Sequence, residues 1–284
     1  MADPSRAVLI TGCSSGIGAA TAARLATAGW TVYATARRPE TLSDLEAKGC
    51  RPLALDVDDD ASRKAAVKSV VDHEGAVGVL INNAGYSQSG AVESVPEERV
   101  RAQFETNVFA PLALCREVLP GMREQGWGKI VNVSSMGGRL VFPGGGLYHA
   151  TKYAIEALSD ALRVEVRGFG VDVILIEPGI IKTGFGQRAV KEIGGTSSNG
   201  PYAGFNQAVA EASASVYQKG PMSKLGGPPE AVAERIEEAI SAQRPRARYP
   251  VTPSARVMMT MRSVLPERAW DRVLGGSFPR PGPR

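Results

Sequence analysis

The sequence predicts an α/β protein built on a doubly wound parallel sheet of about seven strands, with a C-terminal lid insertion. Three observations predict it. Short runs rich in Val, Ile and Leu recur along the chain without strict alternation, as strands buried on both faces of a parallel sheet do. Stretches with helical spacing separate these runs. The first run stops at a glycine-rich turn that opens onto a helix, and repeated βα units imply right-handed crossovers.

Taken in order, the strand candidates are 7–11 (AVLIT), 31–35 (TVYAT), 52–56 (PLALD), 78–82 (GVLIN), 129–134 (KIVNVS) and 171–177 (VDVILIE). RARYPV at 246–251 adds a last strand at the edge. The first helix opens at Ile17. The strongest helical pattern is 147–167, where Leu147, Ala150, Ala154, Ala157, Leu158, Ala161, Leu162 and Glu165 fall three or four apart on one face. A helical stretch near 203–219 is flanked by segments rich in Gly, Ser and Pro. The helix at 228–240 carries Pro at its start. The whole chain, 1–284, reads as one domain, with 186–228 as a lid over the sheet's edge and 253–284 as a basic C-terminal extension.

Composition narrows the function classes. With 43% hydrophobic and 22% charged residues among 284, disorder, collagen-like repeats and coiled coil are excluded. The net charge of +4 is uneven. Residues 244–284 hold nine arginines against Glu267 and Asp271, so the body is mildly acidic and nucleic-acid binding is not expected. No apolar run approaches the roughly 20 residues that cross a bilayer, and MADPSRAVLIT is no secretion signal. Cys13, Cys50 and Cys115 are odd in number and widely spaced, which suits a reducing cytoplasm rather than a disulfide or zinc scaffold. No metal is expected: Asp58 to Asp60 read as acids at a helix N-terminus, and His73 as a solvated helix end.

The turn Thr11-Gly12-Cys13-Ser14-Ser15-Gly16-Ile17-Gly18 carries the first chemistry. Gly12 permits the sharp turn, Gly16 lets backbone approach a pyrophosphate, and Gly18 lets the helix pack close on the strand. The helix N-terminus then offers N–H groups and partial positive charge to phosphates. Cys13 in this loop reads as a packed side chain rather than a redox switch. Arg37 lies 19 residues past Gly18, near where an acid would hold an NAD ribose. Arginine there takes a 2′-phosphate instead, so NADP(H) is expected over NAD(H).

Four further signals coincide. Asn82-Asn83-Ala84-Gly85 ends the fourth strand, Asn107 lies in a helical segment, Ser134-Ser135 ends the fifth strand, and Tyr148-His149-Ala150-Thr151-Lys152 opens a helix. Tyr148 and Lys152 lie on one helical face. An ammonium beside a phenol favours the phenolate, and a tyrosine so tuned exchanges a proton with a carbonyl or alcohol oxygen near neutral pH. Ser135 can steady the same oxygen. His149 points about 100° away from Tyr148 around the helix and reads as a surface or packing residue.

TGCSSGIG, NNAG, NVSS, YHATK and Pro178-Gly179-Ile180-Ile181-Lys182-Thr183 resemble, in order and spacing, the short-chain dehydrogenase/reductase family, over residues 5–185. The resemblance implies a Rossmann-type fold with Tyr148 as general acid/base. Lys152 would lower the Tyr148 pKa and bind the nicotinamide ribose, Ser135 would orient the substrate oxygen, and Asn107 would hold a relay water. It implies cofactor contacts from Gly12, Ser14, Ser15, Gly16, Ile17, Gly18, Asp56, Val57, Asn83, Ala84, Gly85, Pro178, Gly179, Ile181 and Thr183. It also implies pro-S hydride transfer and a dimer or tetramer through helices near 96–120 and 147–167.

Met136, Leu140, Val141, Phe142, Phe185, Tyr202 and Phe205 suggest a hydrophobic ketone, aldehyde or secondary alcohol as substrate. VYATARRPE and RPRARYPVTPSAR resemble the retinol and 17β-hydroxysteroid dehydrogenase branch, which implies a steroid-, retinoid- or lipid-like molecule. The alternatives are an NADP-sensing protein without turnover, and an epimerase or dehydratase that retains NAD. The tail VMMTMRSVLPERAWDRVL either covers the core or closes a dimer, or touches an anionic membrane surface; the first reading is preferred.

Overall fold

The computed structural model describes residues 3–185, 193, 200–218, 224–276 and 281. Its strands are β1 (Val8–Ile10), β2 (Val32–Ala36), β3 (Arg51–Ala54), β4 (Val79–Asn82), β5 (Gly128–Val133), β6 (Val171–Pro178) and β7 (Arg248–Val251). They form one parallel sheet in the order β3-β2-β1-β4-β5-β6-β7. The register sets Leu9 between Tyr33 and Leu80 and places Asn82 beside Asn132. The inner strands β1, β2, β4 and β5 are buried throughout, which is why their sequences show apolar runs rather than alternation. Both edge strands contain a proline, Pro52 and Pro250, and an edge is where a missing N–H is tolerated.

Helices cover both faces. On one side α1 (Gly16–Thr27) packs a core of Ala22 and Leu25 against Val8, Ile10 and Val32. On the other, α3 (Asp60–Glu74), which follows the short α2 (Ser43–Glu46), brings Val67 and Val70 to Leu9 and Leu80. α4 (Glu97–Phe104) runs through a π-turn at Glu105–Phe109 into α5 (Ala110–Glu124), whose Leu114, Val118 and Met122 fill the same layer. As expected of the acidic run, Asp59 caps α3 by accepting from the Ser62 N–H at 3.0 Å, and His73 is exposed in the last turn.

Helix α6 (Gly146–Val166) follows β5, and its faces differ from a simple reading of its pattern. Ala150, Ala157, Leu158 and Ala161 are exposed, whereas His149, Thr151, Lys152, Ile155, Glu156 and Ser159 are buried. Much of the small apolar stripe points outward, though Leu147, Ala154 and Leu162 are half-buried, and a largely polar stripe faces the sheet.

Of the expected lid, residues 186–192, 194–199 and 219–223 lie outside the described residues. Its helix α7 (Ala203–Gln218) rests on the segment after β4. There Asn206 accepts from the Ala91 N–H at 2.9 Å, and the Tyr202 hydroxyl donates to Glu93 at 2.6 Å. α8 (Pro229–Ser241) packs Val232, Ile236 and Ile240 into the α1 layer. In the tail, α9 (Pro253–Val264) and α10 (Glu267–Gly275) close over the loop that follows β5. Met258 and Trp270 bury against Leu140, with Met136 and Phe142 packed alongside. Leu140 is thus core rather than pocket lining.

Candidate active site

Strand order reverses between β1 and β4, and doubly wound sheets bind ligands at the carboxyl ends of such strands. The glycine loop lies there. Gly12 and Gly16 hold φ of +73° and +61°, conformations that favour glycine. A Cβ on Gly18 would lie 2.3 Å from the Gly12 carbonyl oxygen and 2.6 Å from Asn83 Nδ2, so loop and helix approach as closely as glycine permits. Ser14 and Ser15 are exposed and Ile17 is half-buried. The first turn of α1 contains no acidic residue, and the Ser15 side chain does not cap it. The loop therefore fits a pyrophosphate: backbone can approach closely, and the helix end presents donors.

The neighbouring loops brace this one. Asn83 Nδ2 donates to the Thr11 and Gly12 carbonyls at 2.8 and 3.1 Å. The N–H groups of Asn83 and Ala84 both donate to Thr11 Oγ1, at 3.0 and 2.9 Å. The Asn83 amide is thus committed to the glycine loop, and what it offers the ribose region is a fixed backbone. Thr183 stands across from the same loop: a Cβ on Gly16 would lie 3.4 Å from its Cγ2. Pro178 ends β6, Gly179 packs on Ser254, and Ile181 is buried in the core.

At the end of β2, Arg37 and Arg38 are exposed. Asp56 and Val57 follow β3 and are half-buried, with the Asp56 N–H donating to Ser62 Oγ at 2.9 Å. Asp58 accepts from the Thr106 hydroxyl at 2.9 Å. Burial raises its pKa on balance, while Thr106 and the nearby Arg37 charge work in the opposite direction.

Tyr148 and Lys152 come together on α6. Lys152 Nζ lies 5.7 Å from the centre of the Tyr148 ring and donates to the Val133 carbonyl at 2.8 Å. Burial pushes its ammonium down to about 8, against the raising effect of the Glu156 charge. Ser135 is half-buried at the end of β5, where its Oγ accepts from the Gly137 N–H at 3.0 Å. Gly137 in turn abuts His149, which fixes the Ser135 turn against α6. The Phe185 ring stands 5.5 Å from the Tyr148 ring. His149 is a packing residue: it is buried beside Phe142 and its Nδ1 accepts from the Phe142 N–H at 3.3 Å. Cys13 is buried too, with its thiol pushed up to about 12 by burial.

The family model for the short chain dehydrogenase matches residues 6–194. The chain belongs to this family. The chain is 42% identical over 198 residues to a 3-ketodihydrosphingosine reductase of Bacteroides thetaiotaomicron, covering 69% of this chain and 71% of that one. It is 35% identical over 281 residues to an NADPH-dependent 3-dehydrocapnine reductase of Ornithobacterium rhinotracheale, covering 94% and 95%. Among solved structures, a short-chain dehydrogenase from Streptomyces avermitilis superimposes with a TM-score of 0.79 at 35% identity, covering 97% of this chain and 99% of that one. The chain is an oxidoreductase of this family, with its nicotinamide-binding sheet.

Asn107 occupies the π-turn and is buried. Its Nδ2 donates to the Tyr86 carbonyl at 2.9 Å and to Thr151 Oγ1 at 3.0 Å, while its Oδ1 accepts from the Tyr86 N–H at 3.1 Å. The side chain is a brace. Beside it lies a cavity of about 10 Å³ lined by Asn82, Asn107, Asn132 and Lys152 among others, close to the volume one water needs. Asn82 Oδ1 is buried there without a protein partner. Asn82 Nδ2 donates to Asn132 Oδ1 at 2.9 Å, and Asn132 Nδ2 to Ser159 Oγ at 2.8 Å. Asn132 and Ser159 were not among the expected site residues; an asparagine inside a buried apolar strand is the signal that points to them. Among the described residues no group of His, Cys, Asp or Glu is placed to hold a metal, and no helix is long and apolar enough to cross a membrane.

Proposed function

We propose that the dehydrogenase interconverts a ketone or aldehyde and its alcohol on a hydrophobic, lipid-like molecule, with NADP(H) preferred over NAD(H). The observation that carries the reading is the Lys152 ammonium buried beside the Tyr148 ring. In reduction Tyr148 gives its proton to the carbonyl oxygen, and the neighbouring positive charge favours the phenolate that remains. Ser135 Oγ, which accepts from the Gly137 N–H, has its own proton to donate to that oxygen and steadies it. The nicotinamide, when bound, supplies or accepts the hydride.

Gly12, Ser14, Ser15, Gly16, Ile17 and Gly18 would hold the pyrophosphate, Asp56 and Val57 the adenine end, and Ala84, Gly85, Lys152, Pro178, Gly179, Ile181 and Thr183 the nicotinamide half. Arg37, exposed where a ribose-binding acid would otherwise stand, would take the 2′-phosphate, and the relative named as an NADPH-dependent 3-dehydrocapnine reductase supports this. Phe185 over Tyr148 supports an apolar substrate, as do two relatives named for reducing 3-keto and 3-dehydro compounds. The exposed small residues of α6 support a dimer or tetramer, and the enzyme is expected to work in the cytoplasm.

The test follows NADPH absorbance with long-chain 3-keto compounds, steroids, retinal and short polar carbonyls. The expected result is turnover of the apolar set and a loss of about 10²–10⁴-fold in Tyr148→Phe. Equal turnover by wild type and Tyr148→Phe overturns the assignment.

A further inference from the structure

One turn beyond Lys152, α6 buries a second charge that the chemistry above does not use. Glu156 is 5% exposed. Its Oε2 accepts from Arg248 Nε at 3.1 Å. The same guanidinium donates to Asp160 Oδ2 at 2.7 Å and lies 3.5 Å from Glu177 Oε1. Arg139 reaches that Glu177 oxygen at 3.5 Å, and Arg163 holds the other oxygen of Asp160 at 2.6 Å. Ser134 Oγ and the Glu156 side chain both press on Gly138. Glu156 Oε1 is buried without a hydrogen-bond partner. The charged groups here therefore come from α6 (Lys152, Glu156, Asp160, Arg163), the turn after β5 (Arg139), β6 (Glu177) and β7 (Arg248).

A buried carboxylate with an unmatched oxygen costs stability, and an apolar residue of similar volume would pack here more cheaply. What it gives instead is negative charge one helical turn from a buried ammonium. The two buried carboxyls are not equivalent. Burial and the neighbouring Glu156 push Glu177 up to about 7, with Arg139 and Arg248 opposing. Burial raises Glu156 on balance, and the Arg248 charge works in the opposite direction. The Arg248 guanidinium, hydrogen-bonded to Glu156 Oε2, favours the ionised form of that carboxyl.

We propose that Glu156, kept ionised by Arg248, is a positioning residue whose charge holds Lys152 as an ammonium and so sets the upper pH edge of carbonyl reduction. The inference rests on the Tyr148–Lys152 reading. The sign follows directly. Without the Glu156 anion the Lys152 proton leaves at lower pH. The proton-charged Tyr148–Lys152 pair, the form that reduces, is then lost at lower pH.

The experiment records kcat/KM for carbonyl reduction against pH in wild type, Glu156→Gln, Glu156→Asp and Arg248→Gln, with Tyr148→Phe alongside. In Glu156→Gln the alkaline limb moves down by roughly one pH unit, while the plateau below it is retained; Glu156→Asp restores the limb. Arg248→Gln, at a partly exposed edge-strand position, moves the limb in the same direction and carries the test if Glu156→Gln yields no folded protein. A uniform loss at every pH with an unmoved limb overturns the proposal. Undiminished activity in Tyr148→Phe fails the underlying reading instead, so the two failures are separable.

Discussion

Replacing Asn107 by alanine separates a brace from a participant in chemistry. The side chain makes three hydrogen bonds, two to the Tyr86 backbone and one to Thr151. Two of the partners keep another bond. The Tyr86 carbonyl still accepts from Gln103 Nε2 at 3.0 Å, and the Thr151 hydroxyl still donates to the Tyr148 carbonyl at 2.7 Å. Those two losses cost about 0.5–1 kcal/mol each. The Tyr86 N–H loses this acceptor in a part-buried site, which costs about 1–3 kcal/mol. The total is about 2–5 kcal/mol, or roughly 4–10 °C in Tm for a domain of this size. The assay pairs urea unfolding with NADPH turnover on the same preparation. If Asn107→Ala unfolds within ~0.5 kcal/mol of wild type yet turns over poorly, the brace reading is wrong and the amide acts in the reaction.

Three further outcomes follow from the geometry. His149 is pushed down to about 4 by burial, from about 6.5 unfolded. The unfolded chain then binds the extra proton between these values, so stability falls as pH drops from about 6.5 to 4, by on the order of 3 kcal/mol. In His149→Gln the acid slope of stability flattens, and an unchanged slope places the titration elsewhere. Gly18→Ala sets a methyl 2.3 Å from a backbone oxygen; this overpacking costs about 1–3 kcal/mol and weakens dinucleotide binding measured by fluorescence titration, and wild-type affinity would contradict the close approach described. Arg37→Asp lowers the NADPH-over-NADH preference by roughly 10–100-fold, from the 1.5–3 kcal/mol of a charged hydrogen bond; an unaltered ratio removes Arg37 from the 2′-phosphate.

The sheet was legible because its signal is additive. Each inner strand is buried on both faces, so Val8–Ile10 and Val79–Asn82 announce themselves by composition alone. The edge strand Arg248–Val251 was also legible, since Tyr249 and Val251 alternate with Arg248 and Pro250 in a half-buried pattern. The resemblance to the short-chain dehydrogenase family is borne out by the family match and the shared fold. Side-chain aim was not legible. Asn83 and Asn107 stand at expected positions, but which way an amide turns depends on partners far away in sequence. Asn83 turns to Thr11, and Asn107 to Tyr86 and Thr151. Likewise Leu140, read from composition as pocket lining, is fully buried because Met258 and Trp270 return from more than a hundred residues later to cover it.

The same limit explains α6, and there it bears on function. A helix packed on a sheet ordinarily turns its apolar stripe inward, and residues 147–167 have such a stripe, yet Ala150, Ala157, Leu158 and Ala161 of it are exposed. The inward face instead carries Thr151, Lys152, Glu156 and Ser159. Each is tied to a different neighbour: Thr151 to Asn107, Lys152 to Val133, Glu156 to Arg248 and Ser159 to Asn132. Directional bonds of this kind specify a rotation and a height for the helix that nonpolar contact alone leaves loose. Tyr148 leaves the helix at its first turn, so any slip of α6 along its axis is passed undiminished to the phenol. The polar seam therefore gives up burial energy where a hydrophobic helix would gain it, and fixes the position of the proton donor in return. Placing apolar residues at Thr151 and Ser159 together should then leave the fold standing while lowering turnover, whereas a seam that served packing alone would lose both at once.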